Sequence, residues 1–252
     1  MKALICLICI LAMNTAAQQP STSETAAQKL ETWKQSRASL YMNEFGELGR
    51  YRDANSKLPS PAPGEKRVVF FGDSITDSWE LAKYFPGKPY VNRGISAQTT
   101  SQMLVRFRQD VIDLKPKAVV ILAGTNDIAG NSGPIALPDI EANLASMAEL
   151  ARVHHIAVVF SSVTPVHNFT EESKEFFATR PQAQILELNE WMKKYCAESQ
   201  CVFLNYFAAM VDKQGMMKRE LADDGLHPNP AGYALMVPLA SSAIEKALAE
   251  QK

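Results

Sequence analysis

Ser74 stands just past a glycine in the run Phe70-Phe71-Gly72-Asp73-Ser74-Ile75-Thr76-Asp77, at a predicted turn from a strand into a helix. A hydroxyl placed there is exposed and sits among the unpaired amides of a helix N-terminus, which suits attack on a carbonyl. The same position suits an ordinary helix cap, so Ser74 needs a base within hydrogen-bond reach before it can act as a nucleophile. Three other motifs are excluded. Thr76 takes the place of the second glycine of a G-x-S-x-G elbow, and neither GxGxxG nor GxxxxGK[ST] occurs in the chain.

The elements that must position Ser74 follow from the hydrophobic pattern. Arg67–Phe71, Ala118–Ala123, Ile156–Ser161 and Cys201–Leu204 are short apolar runs with the character of buried parallel strands, and Pro89–Asn92 is a shorter candidate. Helical patterns fall between and after them at about Thr99–Asp113, Leu137–His154, Gln182–Ala197 and Pro230–Ala249. Asn229 caps the last of these and Pro230 suits its first turn. This alternation predicts an α/β fold, a three-layer α/β/α sandwich of flavodoxin-like type around a parallel sheet of about five strands. Sites on such sheets form beyond the carboxyl ends of the strands, where Gly72, Gly124 and the residues after them belong. A helical stretch from about Glu24 to Arg52 and the turn-rich Leu58-Pro-Ser-Pro-Ala-Pro-Gly64 precede the regular part.

Three further segments join Ser74: Asn92-Arg93-Gly94, Gly124-Thr125-Asn126-Asp127 and Asp224-Gly225-Leu226-His227-Pro228. Together the four blocks resemble the SGNH (GDSL) hydrolase family, named for Ser, Gly, Asn and His, here Ser74, Gly94, Asn126 and His227. The resemblance covers roughly residues 66–248, and the chain as a whole reads as a signal peptide (1–17), an N-terminal helical segment and linker (18–64) and a hydrolase domain (65–252). It implies a serine hydrolase with Ser74 as nucleophile, His227 as base and Asp224 holding the imidazole. Asp223 competes for the last role but breaks the D-x-x-H spacing, and some relatives use a backbone carbonyl instead. The resemblance also implies an oxyanion site made by the Ser74 N–H, the Gly94 N–H and the Asn126 side-chain amide. It makes Asp73 a turn residue; Asp77 reads as a surface or capping group and Asp127 as support for the Asn126 loop. No metal or organic cofactor is called for.

Composition bounds the partners. The chain of 252 residues is 46% hydrophobic and 21% charged, the balance of a globular protein. Its start, Met1-Lys2-Ala3 followed by apolar Leu4–Met13 and small residues to Ala17, reads as a cleaved signal peptide, too short to span a bilayer. Neither Cys6 nor Cys9 follows the small residue of a lipoprotein cleavage site, so a secreted or periplasmic product without membrane insertion is expected. Loss of that segment removes one charge, Lys2, leaving 25 basic residues against 27 acidic ones, which gives no basic surface for nucleic acid. Cys196 and Cys201 admit either a local disulfide or two buried thiols. Trp79, in the stretch after Ser74, and His167, in a loop after the Ile156 strand, are candidate substrate contacts. Phe169, Phe176 and Phe177 on the long connection Val163–Pro181 either stack on a sugar or pack beneath the loop. The expected substrate is a carbohydrate or other short-acyl ester; the alternatives are a lysophospholipase or thioesterase acting on longer chains, and a carbohydrate-binding protein without catalysis. Oligomeric state is left open.

Overall fold

The computed structural model describes residues 26–250; the expected export segment, with Cys6 and Cys9, lies outside them. Five parallel strands form the sheet: β1 (Val68–Gly72), β2 (Tyr90–Gly94), β3 (Ala118–Leu122), β4 (Ala157–Ser161) and β5 (Val202–Leu204), in the order β2-β1-β3-β4-β5. That is the flavodoxin-like order, with its switch point between β1 and β3. The longer helices are α1 (Ala26–Glu44), α5 (Thr100–Asp110), α7 (Leu137–Val153), α9 (Gln182–Glu198) and α11 (Pro230–Glu250). Shorter ones are α2 (Arg52–Lys57), α3 (Ser74–Asp77), α4 (Leu81–Tyr84), α6 (Thr125–Ile128), α8 (Glu171–Ala178) and α10 (Tyr206–Met210).

Strand periodicity of two builds the layers. Val69 and Phe71 of β1 with Val119 and Ile121 of β3 face α5, α7 and α9, where Met103, Phe107, Leu144 and Leu188 close the first core. Val68, Phe70, Val120 and Leu122 face the other way onto α4, α10 and α11, meeting Met210, Tyr233 and Met236. All five residues of β1 and of β3 are buried, so these strands are apolar on both faces, as central parallel strands must be.

The N-terminal stretch is not one helix to Arg52. It breaks after Glu44, and the following turn is sewn to α5, with side-chain amides of Gln102 and Gln109 donating to the carbonyls of Phe45 and Leu48 at 2.9 Å each. At the opposite end of the sheet, Cys196 near the end of α9 and Cys201 before β5 form a disulfide with Cα atoms 4.5 Å apart. The Val163–Pro181 connection contains α8, which sequence periodicity did not reveal. A capping box begins it: Thr170 accepts the Ser173 N–H and the Ser173 hydroxyl oxygen accepts the Thr170 N–H. Among the described residues no helix is long and apolar enough to cross a membrane.

Candidate active site

Gly72 ends β1, and the chain turns at once into α3. Asp73 caps that helix by accepting the Ile75 N–H at 3.0 Å, so Ser74 takes the first helical position and its hydroxyl faces outward. Burial pushes the Asp73 carboxyl up to about 6, and its second oxygen, Oδ2, has no hydrogen-bond partner. Asp73 thus belongs to the turn.

From the far end of the chain, His227 Nε2 comes to 2.9 Å from Ser74 Oγ, and His227 Nδ1 lies 2.6 Å from Asp224 Oδ2. The other oxygen of Asp224 accepts the N–H of Leu226 at 2.9 Å and of His227 at 2.7 Å. Burial alone would raise this carboxyl, but the hydrogen bonds and charge of His227, joined by the Leu226 N–H, hold it near 2. An ionised carboxylate only accepts, so the proton on that side sits on Nδ1 and Nε2 is left to accept from Ser74. Asp223 turns away: its Oδ1 accepts from Asn229 at 2.8 Å.

Asn126 sits on α6, which starts at Gly124 in a left-handed conformation (φ 111°) that a side chain would strain. Its carboxamide is fixed from both ends. Oδ1 accepts from Asn131 Nδ2 at 3.0 Å and from Arg180 Nη2 at 3.3 Å, and Nδ2 donates one hydrogen to the Gln98 carbonyl at 3.1 Å. The second Nδ2 hydrogen has no acceptor among the described residues. Asp127, next along, accepts both the N–H and the hydroxyl of Thr100, tying α6 to α5. Burial pushes its carboxyl up to about 6 despite those hydrogen bonds.

Gly94 requires a correction. Its N–H is already taken by Asn92 Oδ1 at 2.8 Å, so it is not a free oxyanion donor. A Cβ there would run into the backbone of Thr76 and Asp77, 2.6 Å from the Asp77 Cα; Gly94 exists to let α3 seat on β2. Three residues on, Ala97 lines the cleft beside Ser74, Asn126 and His227. It holds φ at 69°, and its N–H has no acceptor among the described residues. No local sequence signal marks Ala97, because alanine does not announce a left-handed turn.

Trp79 requires another. It is 3% exposed and packs into the core of the α11 face, ring centroids 5.3 Å from Tyr233 and 5.4 Å from Phe70. Its size and the aromatic cluster around it draw it inward, away from the cleft. His167 is not in the cleft wall either; its ring lies against Phe169, and its N–H donates to the Gly225 carbonyl at 2.8 Å, bracing the turn that carries Asp224 and His227. The cleft, about 760 Å³, is instead walled by Trp33 and Arg37 of α1 and by Glu175 and Phe176 of α8. Phe176 meets the His227 ring edge-on at 6.1 Å, whereas no sequence pattern had brought α1 to the site. Asp77 accepts the N–H and hydroxyl of Ser96, holding the loop that leads to Ala97.

Residues 70–235 match the sequence profile of the GDSL-like Lipase/Acylhydrolase family. The chain belongs to that family. Membership puts it among the ester-hydrolysing serine hydrolases. It is similar in structure to a GDSL-like lipase of Bacteroides thetaiotaomicron, with 40% identity and a TM-score of 0.74 over 81% of this chain and 100% of that one. It is 25% identical over 206 residues to an acetylxylan esterase of Geobacillus stearothermophilus, covering 69% of this chain and 90% of the relative. An uncharacterized lipoprotein of Bacillus subtilis is 29% identical over 151 residues, covering 52% of this chain and 62% of the lipoprotein.

Proposed function

We propose that this GDSL family member is an exported esterase that removes short acyl groups, acetyl above all, from carbohydrate through an acyl-serine intermediate. The observation that carries the reading is the continuous hydrogen-bonded line Asp224–His227–Ser74 opening on a cleft whose wall holds N–H groups without acceptors. His227 Nε2 takes the Ser74 proton as Oγ attacks the ester carbon, and Asp224 stabilises the imidazolium that forms. The N–H groups of Ser74 and Ala97 and the free Nδ2 hydrogen of Asn126 receive the oxyanion. Collapse expels the alcohol, which leaves with the proton from His227. Water, deprotonated by the same imidazole, then attacks the acyl-serine, releasing the acid and restoring Oγ–H.

Aromatic and polar groups share the cleft wall, with Trp33 and Phe176 as platforms and Glu175 as an acceptor, a mixture suited to sugar rings. The acetylxylan esterase relative supports the same substrate. Export is supported by the signal-like first 17 residues and by the lipoprotein relative. Similarity to a GDSL-like lipase favours a second reading, longer acyl chains. A p-nitrophenyl ester series from about two to sixteen carbons separates the two: highest kcat/KM at two to four carbons is expected, and a maximum at eight or more overturns the short-acyl reading. Ser74→Ala should lower kcat by roughly five to six orders of magnitude; hydrolysis equal to wild type would remove the esterase reading.

A further inference from the structure

Arg180, just past α8, is an arginine that the reaction described above does not use. It is 5% exposed and lines the cleft. Its guanidinium spans four neutral oxygens: Nε donates to Thr125 Oγ1 at 2.9 Å, Nη1 to Thr179 Oγ1 at 3.1 Å and to the Phe176 carbonyl at 3.3 Å, and Nη2 to Asn126 Oδ1 at 3.3 Å. It makes no salt bridge with any carboxylate among the described residues. Burial pulls the group down to about 10, with the charges of Asp73 and Asp224 resisting. An arginine kept there without a direct ion partner is costly to bury, so its placement calls for a reason.

The reason lies in the Asn126 amide. A carboxamide can rotate by half a turn and exchange oxygen for nitrogen at little cost in shape. With two donors, Arg180 and Asn131, aimed at one end and the Gln98 carbonyl at the other, only one orientation satisfies every group. That orientation leaves an Nδ2 hydrogen for the cleft. Building on the esterase reading, we infer that Arg180 is a positioning residue that locks the Asn126 carboxamide as an oxyanion donor, and in doing so couples α8 to the catalytic loop. Preorganised donors of this kind act on the transition state far more than on the bound ester, so the effect belongs to kcat.

The test is a double-mutant cycle on full-length protein with p-nitrophenyl acetate, using Arg180→Gln, Asn126→Ala and both together, beside Ser74→Ala. Arg180→Gln should lower kcat about ten- to a hundredfold with KM changed by less than about threefold. In the Asn126→Ala background the same substitution should cost less than about threefold more, because the two act as one unit. Arg180→Lys keeps the charge but cannot reach Thr125 and Asn126 together, so it should not restore kcat; it also carries the cycle if Arg180→Gln does not fold. Equal losses from Arg180→Gln in both backgrounds, kcat within about twofold of wild type, or full restoration by lysine would overturn the proposal. If Ser74→Ala hydrolyses the ester as fast as wild type, the esterase reading falls and this one with it. If Ser74→Ala is inactive and the cycle is additive, only the role of Arg180 falls.

Discussion

Ala97 places a Cβ where backbone geometry favours none. At φ 69° the left-handed conformation costs an L-residue roughly 1–2 kcal/mol, partly offset because alanine loses less backbone freedom on folding than glycine. The turn survives because its neighbours over-determine it: Ser96 is held by Asp77 at 2.7 Å through its hydroxyl, and the Ala97 carbonyl accepts from Asn131 at 3.3 Å. Strain of this kind gathers where a site must present its backbone in one orientation. Ala97→Gly should therefore raise stability by about 0.5–1 kcal/mol, seen as a higher urea midpoint with unchanged m value; a lower midpoint would show the turn to be unstrained. The same residue shows where the sequence misleads. Gly94 is the glycine that stands out in its block, yet its lack of a side chain serves the contact with α3, and the cleft is served three residues later by an alanine.

At the scale of elements, the strands and long helices were legible because their apolar periodicity is what makes them fold. The sheet order and the meeting of Ser74, Asn126 and His227 at one rim follow from that alternation. What escaped were elements fixed by packing. The helix α8 is short and has few apolar residues, and it forms from a capping box and its seat against the cleft. Trp79, for its part, is drawn into a core where nearby Phe70 and Phe85 meet Tyr206 and Tyr233 from far along the chain. The placement of α1 beside α8 likewise depends on the turn at Phe45–Leu48 docking on α5, which no local pattern announces. Trp33 lines the cleft, and under the proposed function it would meet the alcohol portion of a large substrate. An aromatic contact of about 0.5–1.5 kcal/mol predicts that Trp33→Ala raises KM for an acetylated xylo-oligosaccharide roughly two- to twelvefold, and more than for p-nitrophenyl acetate. Equal shifts for both esters would assign α1 to packing alone.

Across the whole molecule, the cleft and the covalent fastening lie at opposite ends of the sheet, the cleft beyond the strand carboxyl ends and the Cys196–Cys201 disulfide beyond their amino ends. The cleft end carries a thermodynamic load: Asp73, next to Ser74, and Asp127, next to Asn126, are both buried and both raised to about 6 from an ordinary 3.8. A carboxyl raised on folding binds its proton more tightly in the native state. Its contribution is fully present below about pH 4 and is lost as pH rises through about 6. Asp224 has the opposite sign, but with its carboxyl near 2 its contribution is complete above about pH 4 and is lost only in stronger acid. Between pH 4 and 6 the buried pair therefore pulls stability down as pH rises, each by an amount on the order of 3 kcal/mol. Asn in place of Asp127 can still accept the Thr100 N–H but has no proton to lose. Unfolding free energies at pH 4, 5, 6 and 7 should show Asp127→Asn gaining on wild type as pH rises to about 6 and then running parallel to it. Curves parallel throughout would mean that Asp127 titrates alike in the folded and unfolded chain, and that Thr100 fully compensates its burial.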